Sequence, residues 1–373
     1  MTTPLRTLIN STPLAIILAL LSATPADAAK SSPGSGEVAI YTEAGGGDAI
    51  TTADFTHDFD TNTREDAGSF TRAGGDITLN RSGHYLAIYN SRFDRTGTVA
   101  NRTETQSQLR LNATDLPSGW SQGYTRWDNN QRETITSGIS IFAASPGDVL
   151  QLHSFRTDNN GGATQERVAN GTALQLVKLD EVNMSFARLS LASDVAGPTT
   201  DATFVTVPYD TEDELGSGFS YDGSGGLTLV SGGKYLVAAN THLFESVERS
   251  SLVQHLSLDG TEVPGSVTEV YIRGNQNGCS DGAAVIGMII EATPGQVLRV
   301  EGRLDVGRNP TTYIGGRCAL SVVKIEENAE YIRLINTADV NVNTDTTETP
   351  IALGTQDEVD AASFAHTAAT SVV

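Results

Sequence analysis

The residues able to do chemistry are thinly spread along this 373-residue chain, and their spacing argues against most reactions. Histidine is the usual general base and metal ligand, and six are present: His57, His84, His153, His242, His255 and His366. No two form a His-x-x-x-His pair and none recurs as histidine in the repeat described below, so they are expected on solvated strand faces and loop edges. Gly119-Trp120-Ser121-Gln122-Gly123 fits the Gly-x-Ser-x-Gly nucleophile pattern, which works by exposing its serine on a strand-to-helix elbow. No helical pattern follows it, and one repeat further on the three defining positions are Ser266, Thr268 and Val270. The chain is therefore read as non-enzymatic, with no catalytic residue assigned.

Binding residues are easier to nominate. Trp120, Tyr124 and Trp127, with Arg126 among them, cluster in a Gly-, Ser- and Asn-rich stretch and could present the flat rings on which sugars or a protein partner stack. The competing role is to cover one end of a hydrophobic core. Asp58, Asp60 and Asn62 are spaced like an oxygen-ligand loop, but Thr63 replaces the required glycine and Ser69 the terminal glutamate, which excludes an EF-hand. Acidic residues recur in register at Asp210, Glu212 and Asp213, and again at Asp357 and Glu358. A weak structural calcium site on Asp58 and Asp60, and on Asp210 and Asp213, is the one cofactor this pattern suggests. Cys279 and Cys318 are the only cysteines; in an exported protein they are expected as a disulfide rather than a zinc site, which would need four ligands.

Net charge and the first residues set the location. Twenty-four Lys and Arg against 45 Asp and Glu give a formal charge of -21, which disfavours nucleic acid and anionic lipid as partners. Arg6, the apolar run Leu14 to Leu21 and Ala26-Asp27-Ala28 have the layout of a secretory signal peptide over residues 1–28, followed by a linker over 29–36. The apolar run is far short of the ~20 residues that span a bilayer, and nothing later approaches that length, so no membrane span is expected. The mature chain is expected to be secreted or held at a cell surface. Only four lysines accompany the plentiful acids, a composition suited to a bacterium of salty water.

Internal repetition organises everything else. Gly83-His84-Tyr85-Leu86 and Asn90 align with Gly233-Lys234-Tyr235-Leu236 and Asn240 at an offset of 150. Pro146-Gly147 and Val149-Leu150 align with Pro294-Gly295 and Val297-Leu298 at 148, and Val177-Lys178 with Val323-Lys324 at 146. Two units follow, over residues 37–181 and 182–327. Tyr331-Ile332-Arg333-Leu334 then matches Phe186-Ala187-Arg188-Leu189, so residues 328–373 read as an incomplete third repeat of a truncated array. Within each unit the pattern is strand: Val149 to His153 and Val297 to Glu301 alternate apolar with polar, and Asp158 to Gly162 and Asp222 to Gly226 are turn-rich. The predicted architecture is all-β, as tandem antiparallel two-sheet sandwiches.

A Gly-x-Tyr opening one strand, the Leu-x-Leu strand at Leu109, Ser137-Gly138, Pro146-Gly147-Asp148-x-Leu-x-Leu and Asn170-Gly171 before the closing strand resemble the jelly-roll domains of the tumour necrosis factor and complement-globular-head superfamily. That resemblance implies tandem jelly-roll β-sandwiches that bind partners through loops and grooves, commonly as trimers. Two departures stand out: Gln296 replaces Asp148 in the second unit, and the units lie in tandem on one chain. The partners expected are an extracellular protein or glycan, with either a homo-oligomer (trimer) or a pseudo-oligomer within the chain. The functional expectation is a secreted or cell-surface binding or structural module. The alternative is the accessory carbohydrate-binding region of a longer secreted enzyme.

Overall fold

The computed structural model describes residues 37–96, 102–126, 132–157, 165–179, 184–245, 249–273, 280–305, 308–325, 332–335 and 355–359. Among its described residues the first unit contributes twelve strands: β1 (Glu37–Glu43), β2 (Ala49–Ile50), β3 (Phe55–Thr56), β4 (Thr61–Glu65), β5 (Phe70–Ala73), β6 (Asp76–Leu79), β7 (Gly83–Arg95), β8 (Arg102–Leu111), β9 (Thr114–Arg126), β10 (Glu133–Ala144), β11 (Asp148–Arg156) and β12 (Gln165–Lys178). The second contributes β13 (Ser185–Ser190), β14 (Val195–Ala196), β15 (Val205–Thr206), β16 (Thr211–Leu215), β17 (Phe219–Tyr221), β18 (Leu227–Leu229), β19 (Gly233–Phe244), β20 (Ser250–Leu258), β21 (Thr261–Glu262), β22 (Thr268–Ile272), β23 (Asp281–Ala292), β24 (Val297–Leu304), β25 (Thr312–Tyr313) and β26 (Ala319–Lys324). A last pair, β27 (Ile332–Ile335) and β28 (Thr355–Val359), follows.

One sheet of the first unit runs β10-β7-β12-β1-β4 and the other β5-β6-β11-β8-β9. In the second unit the matching orders are β23-β19-β26-β13-β16 and β17-β18-β24-β20, with β22 also on β20. Strands distant in sequence lie side by side in antiparallel ladders, which is the jelly-roll arrangement of a two-sheet sandwich. Among the described residues all regular structure is strand. The first ladder of each unit carries a bulge at one place, between Ile40 and Tyr41 in β1 and between Arg188 and Leu189 in β13. The β27–β28 ladder has it between Arg333 and Leu334.

Alternation drives the strands inward. Val297–Leu304 alternates half-buried with buried along its whole length, so every second side chain enters the core. Ala39, Tyr41, Leu79, Tyr85, Leu109, Leu150 and Leu174 fill the first core, and Leu189, Tyr235, Leu256, Leu298 and Leu320 the second. The repeated Gly-x-Tyr-Leu has a stereochemical reason. Gly83 and Gly233 sit at φ 132° and 126°, where an L side chain is strained. Two residues on, the Tyr85 hydroxyl donates to the Arg81 carbonyl, and Tyr235 does the same to Ser231, tying strand to preceding loop. The Asp148-to-Gln296 exchange conserves a function: Asp148 accepts the Ser145 N–H at 2.7 Å, and Gln296 accepts that of Thr293 at 2.8 Å.

Candidate functional site

A third apolar cluster belongs to neither core. Val38, Leu86, Ile88, Ile139, Ile141 and Val177 of the first unit join Phe186, Leu236, Ala238, Ile289 and Val323 of the second. The open-side strands β9 and β10 of the first unit lie against the sheet face built by β19, β23 and β26 of the second. An edge therefore meets a face, and the seam is heterologous rather than self-complementary. Trp120, on β9, is 4% exposed at its centre. His242 packs edge-on to its indole at 5.8 Å, the Arg317 guanidinium covers its ring at 4.0 Å, and its carbonyl accepts a hydrogen bond from the Asn240 amide. Gln106 donates to the Asp281 carboxylate at 2.9 Å, and Arg317 stands 3.8 Å from that carboxylate. At one margin the ring of His84 stacks on Phe186 at 3.7 Å while its Nε2–H donates to Glu214 at 2.8 Å. At another, Tyr124 meets Tyr271, its own counterpart, at 6.4 Å.

The first unit also holds a buried polar relay between its sheets. His57 Nδ1 lies 2.9 Å from the Glu43 carboxylate, which can only accept, so Nδ1 carries the proton and Nε2 accepts from Ser154 Oγ at 2.8 Å. Ser154 continues to Ser107 at 2.6 Å, and Ser107 to Thr136 at 2.7 Å. Glu43 is also paired with Arg167 and receives the Asp58 N–H at 3.2 Å, so its charge is already answered from two sides. Burial therefore dominates at His57 and pushes its pKa down to about 3, leaving a neutral imidazole. Serine, histidine and carboxylate stand in the order of a nucleophilic triad. Yet Ser154 and His57 are fully buried and Glu43 is 1% exposed, so no substrate reaches Ser154 in this conformation.

The second unit has replaced this relay throughout. Its ladders place Leu191 where the first unit has Glu43, Val207 for His57, Gly302 for Ser154, Gln254 for Ser107, Ala284 for Thr136 and Tyr313 for Arg167. A shared fold thus carries two chemically different cores.

Several expectations from sequence are corrected. Trp120 is not an exposed stacking surface but the plug of the seam; Tyr124 is half-buried beside it, and Arg126 ends β9. Trp127 lies outside the described residues. The Gly-x-Ser-x-Gly segment runs straight through β9, where Ser121 Oγ accepts the Ser137 N–H at 2.9 Å. Cys318 is a free thiol, not half of a disulfide. It lies in the second core, where its sulfur accepts the His242 N–H at 3.3 Å and burial pushes its pKa up to about 12. Cys279 lies outside the described residues. Four of the described histidines are not solvated: His57 and His242 are fully buried, and His153 and His255 nearly so. Burial likewise pushes His242 below its ordinary pKa, against the pull of Asp281.

The recurrent aspartates have a turn-tying role. Asp60 accepts the Ala44 N–H at 2.8 Å, and that hydrogen bond holds its pKa below the usual carboxylate range. Asp210 accepts the Ala192 N–H at the same distance. Asp213 meets Arg188 at 3.3 Å, and Asp58 is exposed. Among the described residues no group of three or more His, Cys, Asp or Glu side chains converges as a metal site, and no helix is long and apolar enough to cross a membrane. Sequence reasoning missed the relay because Glu43, His57, Ser107 and Ser154 are distant along the chain. The one available signal was that each becomes apolar or different in kind one repeat later.

No family model matches the chain, and no curated protein does. Solved structures similar to part of it include murine APRIL at pH 5.0, at 12% identity over 38% of this chain and 100% of that one, with a TM-score of 0.29. The Eiger TNF of S. frugiperda is similar at 13% identity over 39% of this chain and 94% of that one, also with a TM-score of 0.29. Each match spans about the length of one unit. The jelly-roll assignment itself stands on the strand order above, which agrees with the tumour necrosis factor-like resemblance of the sequence.

Proposed function

We propose that the protein is a secreted or cell-surface binding and structural module without catalysis, whose units assemble edge to face as a pseudo-oligomer and present their loops to an extracellular protein or glycan. The observation that carries this reading is the heterologous seam. Such a contact leaves an edge of the second unit unused, and repetition closes it into a ring or extends it. Val267 occupies in the second unit the place of Trp120 and is 51% exposed, so the edge buried in the first unit is open in the second. Contact between the counterparts Tyr124 and Tyr271 puts the rotation axis beside that edge. A third unit, of the kind that the β27–β28 bulge opens, is the natural occupant. The signal-like residues 1–28 support export, and the burial of Ser154 supports a non-catalytic role.

Light scattering on the chain from Ser31 onward, with and without Val267→Asp, tests this. Mass that rises with concentration and returns to monomer in the variant supports edge-to-face assembly. Monomers at all concentrations in both proteins would refute assembly through this edge. A serine-reactive fluorophosphonate that labels Ser154 would overturn the non-catalytic reading.

A further inference from the structure

The core replacement in the second unit leaves polar atoms without protein partners. Gln254 lies on the inward side of β20 between Leu252 and Leu256, and it is fully buried. Neither its amide nitrogen nor its oxygen has a hydrogen-bond partner within the protein. Its ladder neighbour is Gly302, and a side chain at Gly302 would meet the Tyr313 hydroxyl at 3.0 Å, which places that hydroxyl over the glycine and beside Gln254. The Tyr313 hydroxyl is likewise buried and unpartnered. The hydroxyls of Tyr209 and Thr241 face each other in the same core, and neither has a partner in bonding geometry.

In the first unit the position of Gln254 is closed by protein atoms. Ser107 bonds to Ser154 and Thr136 within 2.7 Å. The second unit has lost both of those partners, to Gly302 and Ala284, while lengthening Ser107 to Gln254. It removed two hydroxyls and kept the need for them. Buried amides and hydroxyls are almost always satisfied, by protein or by ordered water. Globular domains hold about one interior water per 27 residues, each with two to four polar partners. No charged side chain replaces Glu43, His57 or Arg167 here, so a metal ion or charged guest finds no counter-charge. The site takes a small neutral molecule that both donates and accepts.

We propose that the core of the second unit is a binding site for interior water, bridged by Gln254, Tyr313, Tyr209 and Thr241, which does there what the serine-histidine relay does in the first unit. Thr241 comes from β19, Gln254 from β20, Tyr313 from β25 and Tyr209 from the segment before β16, so the water joins the two sheets.

Oxygen-17 magnetic relaxation dispersion of the full chain, with water itself as the probe, counts long-lived interior waters. The wild type is compared with Gln254→Met/Tyr313→Phe, which removes the polar atoms while nearly keeping volume. The amplitude is expected to fall by the equivalent of about one water or more per molecule. Equal amplitudes in the two proteins would overturn the proposal. Should the double variant fail to fold by circular dichroism, Tyr313→Phe alone, which loses only one oxygen, is read in the same way. Its unchanged dispersion amplitude would be equally fatal.

Discussion

Acid should unfold this protein partly through one imidazole. His57 is buried and neutral, with a folded pKa of about 3 against the ordinary 6.5 of an unfolded chain. Between those values the unfolded chain binds a proton that the folded one refuses, so falling pH pulls the equilibrium toward unfolding. The stabilisation is complete above about pH 6.5 and drains away as pH drops toward 3. At pH 5 the unfolded chain carries the proton almost fully and the folded one hardly at all. A pKa gap of 1.5 between 6.5 and the working pH then converts to about 2 kcal/mol, at 1.36 kcal/mol per unit. His57→Gln is the matched control, because its amide can donate to Glu43 and its carbonyl can accept from Ser154 without titrating. Urea unfolding followed by fluorescence at pH 8 and pH 5 supplies the free energies. Wild type is expected to lose about 2 kcal/mol more than the variant over that interval. His242 and His153, whose pKa values burial also lowers, weaken both proteins alike and cancel in the difference. Equal losses would refute the argument, and with it the claim that Arg167 and the Asp58 N–H neutralise Glu43. An unanswered carboxylate 2.9 Å away would instead hold His57 protonated and reverse the sign.

Three further outcomes are expected. Trp120→Ala should remove about 3–5 kcal/mol, as for other buried tryptophans, and because the lost packing lies in the seam, a single calorimetric transition should split into two. Cys318, its pKa pushed up to about 12, should be inert to Ellman's reagent in a folded Cys279→Ser background and react fully in urea. Gly138→Ala should cost about 1–3 kcal/mol by overpacking, since its new Cβ would lie 2.3 Å from the Tyr89 ring, whose hydroxyl is anchored to the Ser107 and Gly119 carbonyls. That loss is read as a lowered urea midpoint at unchanged slope.

Sheet architecture was legible because it is written locally and twice. Alternation in Val297–Leu304, the Gly-x-Tyr-Leu corners and the Pro-Gly turns each act within a few residues, and repetition at offsets near 148 separates them from chance. Pairings between distant strands left no such trace, so the site was misread where it depended on them. Trp120 sits in a Gly-rich, polar stretch that looks solvent-facing until β9 meets β19. His57 stands between Thr56 and Asp58 and alternates with Phe55 and Phe59, and only the approach of Glu43 and Ser154 permits its burial. The acidic turns show the opposite error: a recurrent Asp60 and Asp210 looked like ligands, and their recurrence reflects the same backbone N–H to be capped in each unit.

The two units answer one structural problem with different chemistry, and the seam explains why each solution can persist. A polar relay of Glu43, His57, Arg167, Ser154, Ser107 and Thr136 costs desolvation that an apolar core does not, and buried charge is retained at the expense of stability unless every partner is present. The second unit, with Val207, Leu191 and Tyr313 in those places, carries more of its core as hydrocarbon. Because β9 and β10 of the first unit are seated on the second, unfolding of the first must also strip Trp120 from beneath Arg317 and expose Leu236 and Val323. The more apolar unit thereby supports the more polar one through the seam. Loss of His57 neutrality should then be felt first as loosening of the first unit, with Trp120 reporting it.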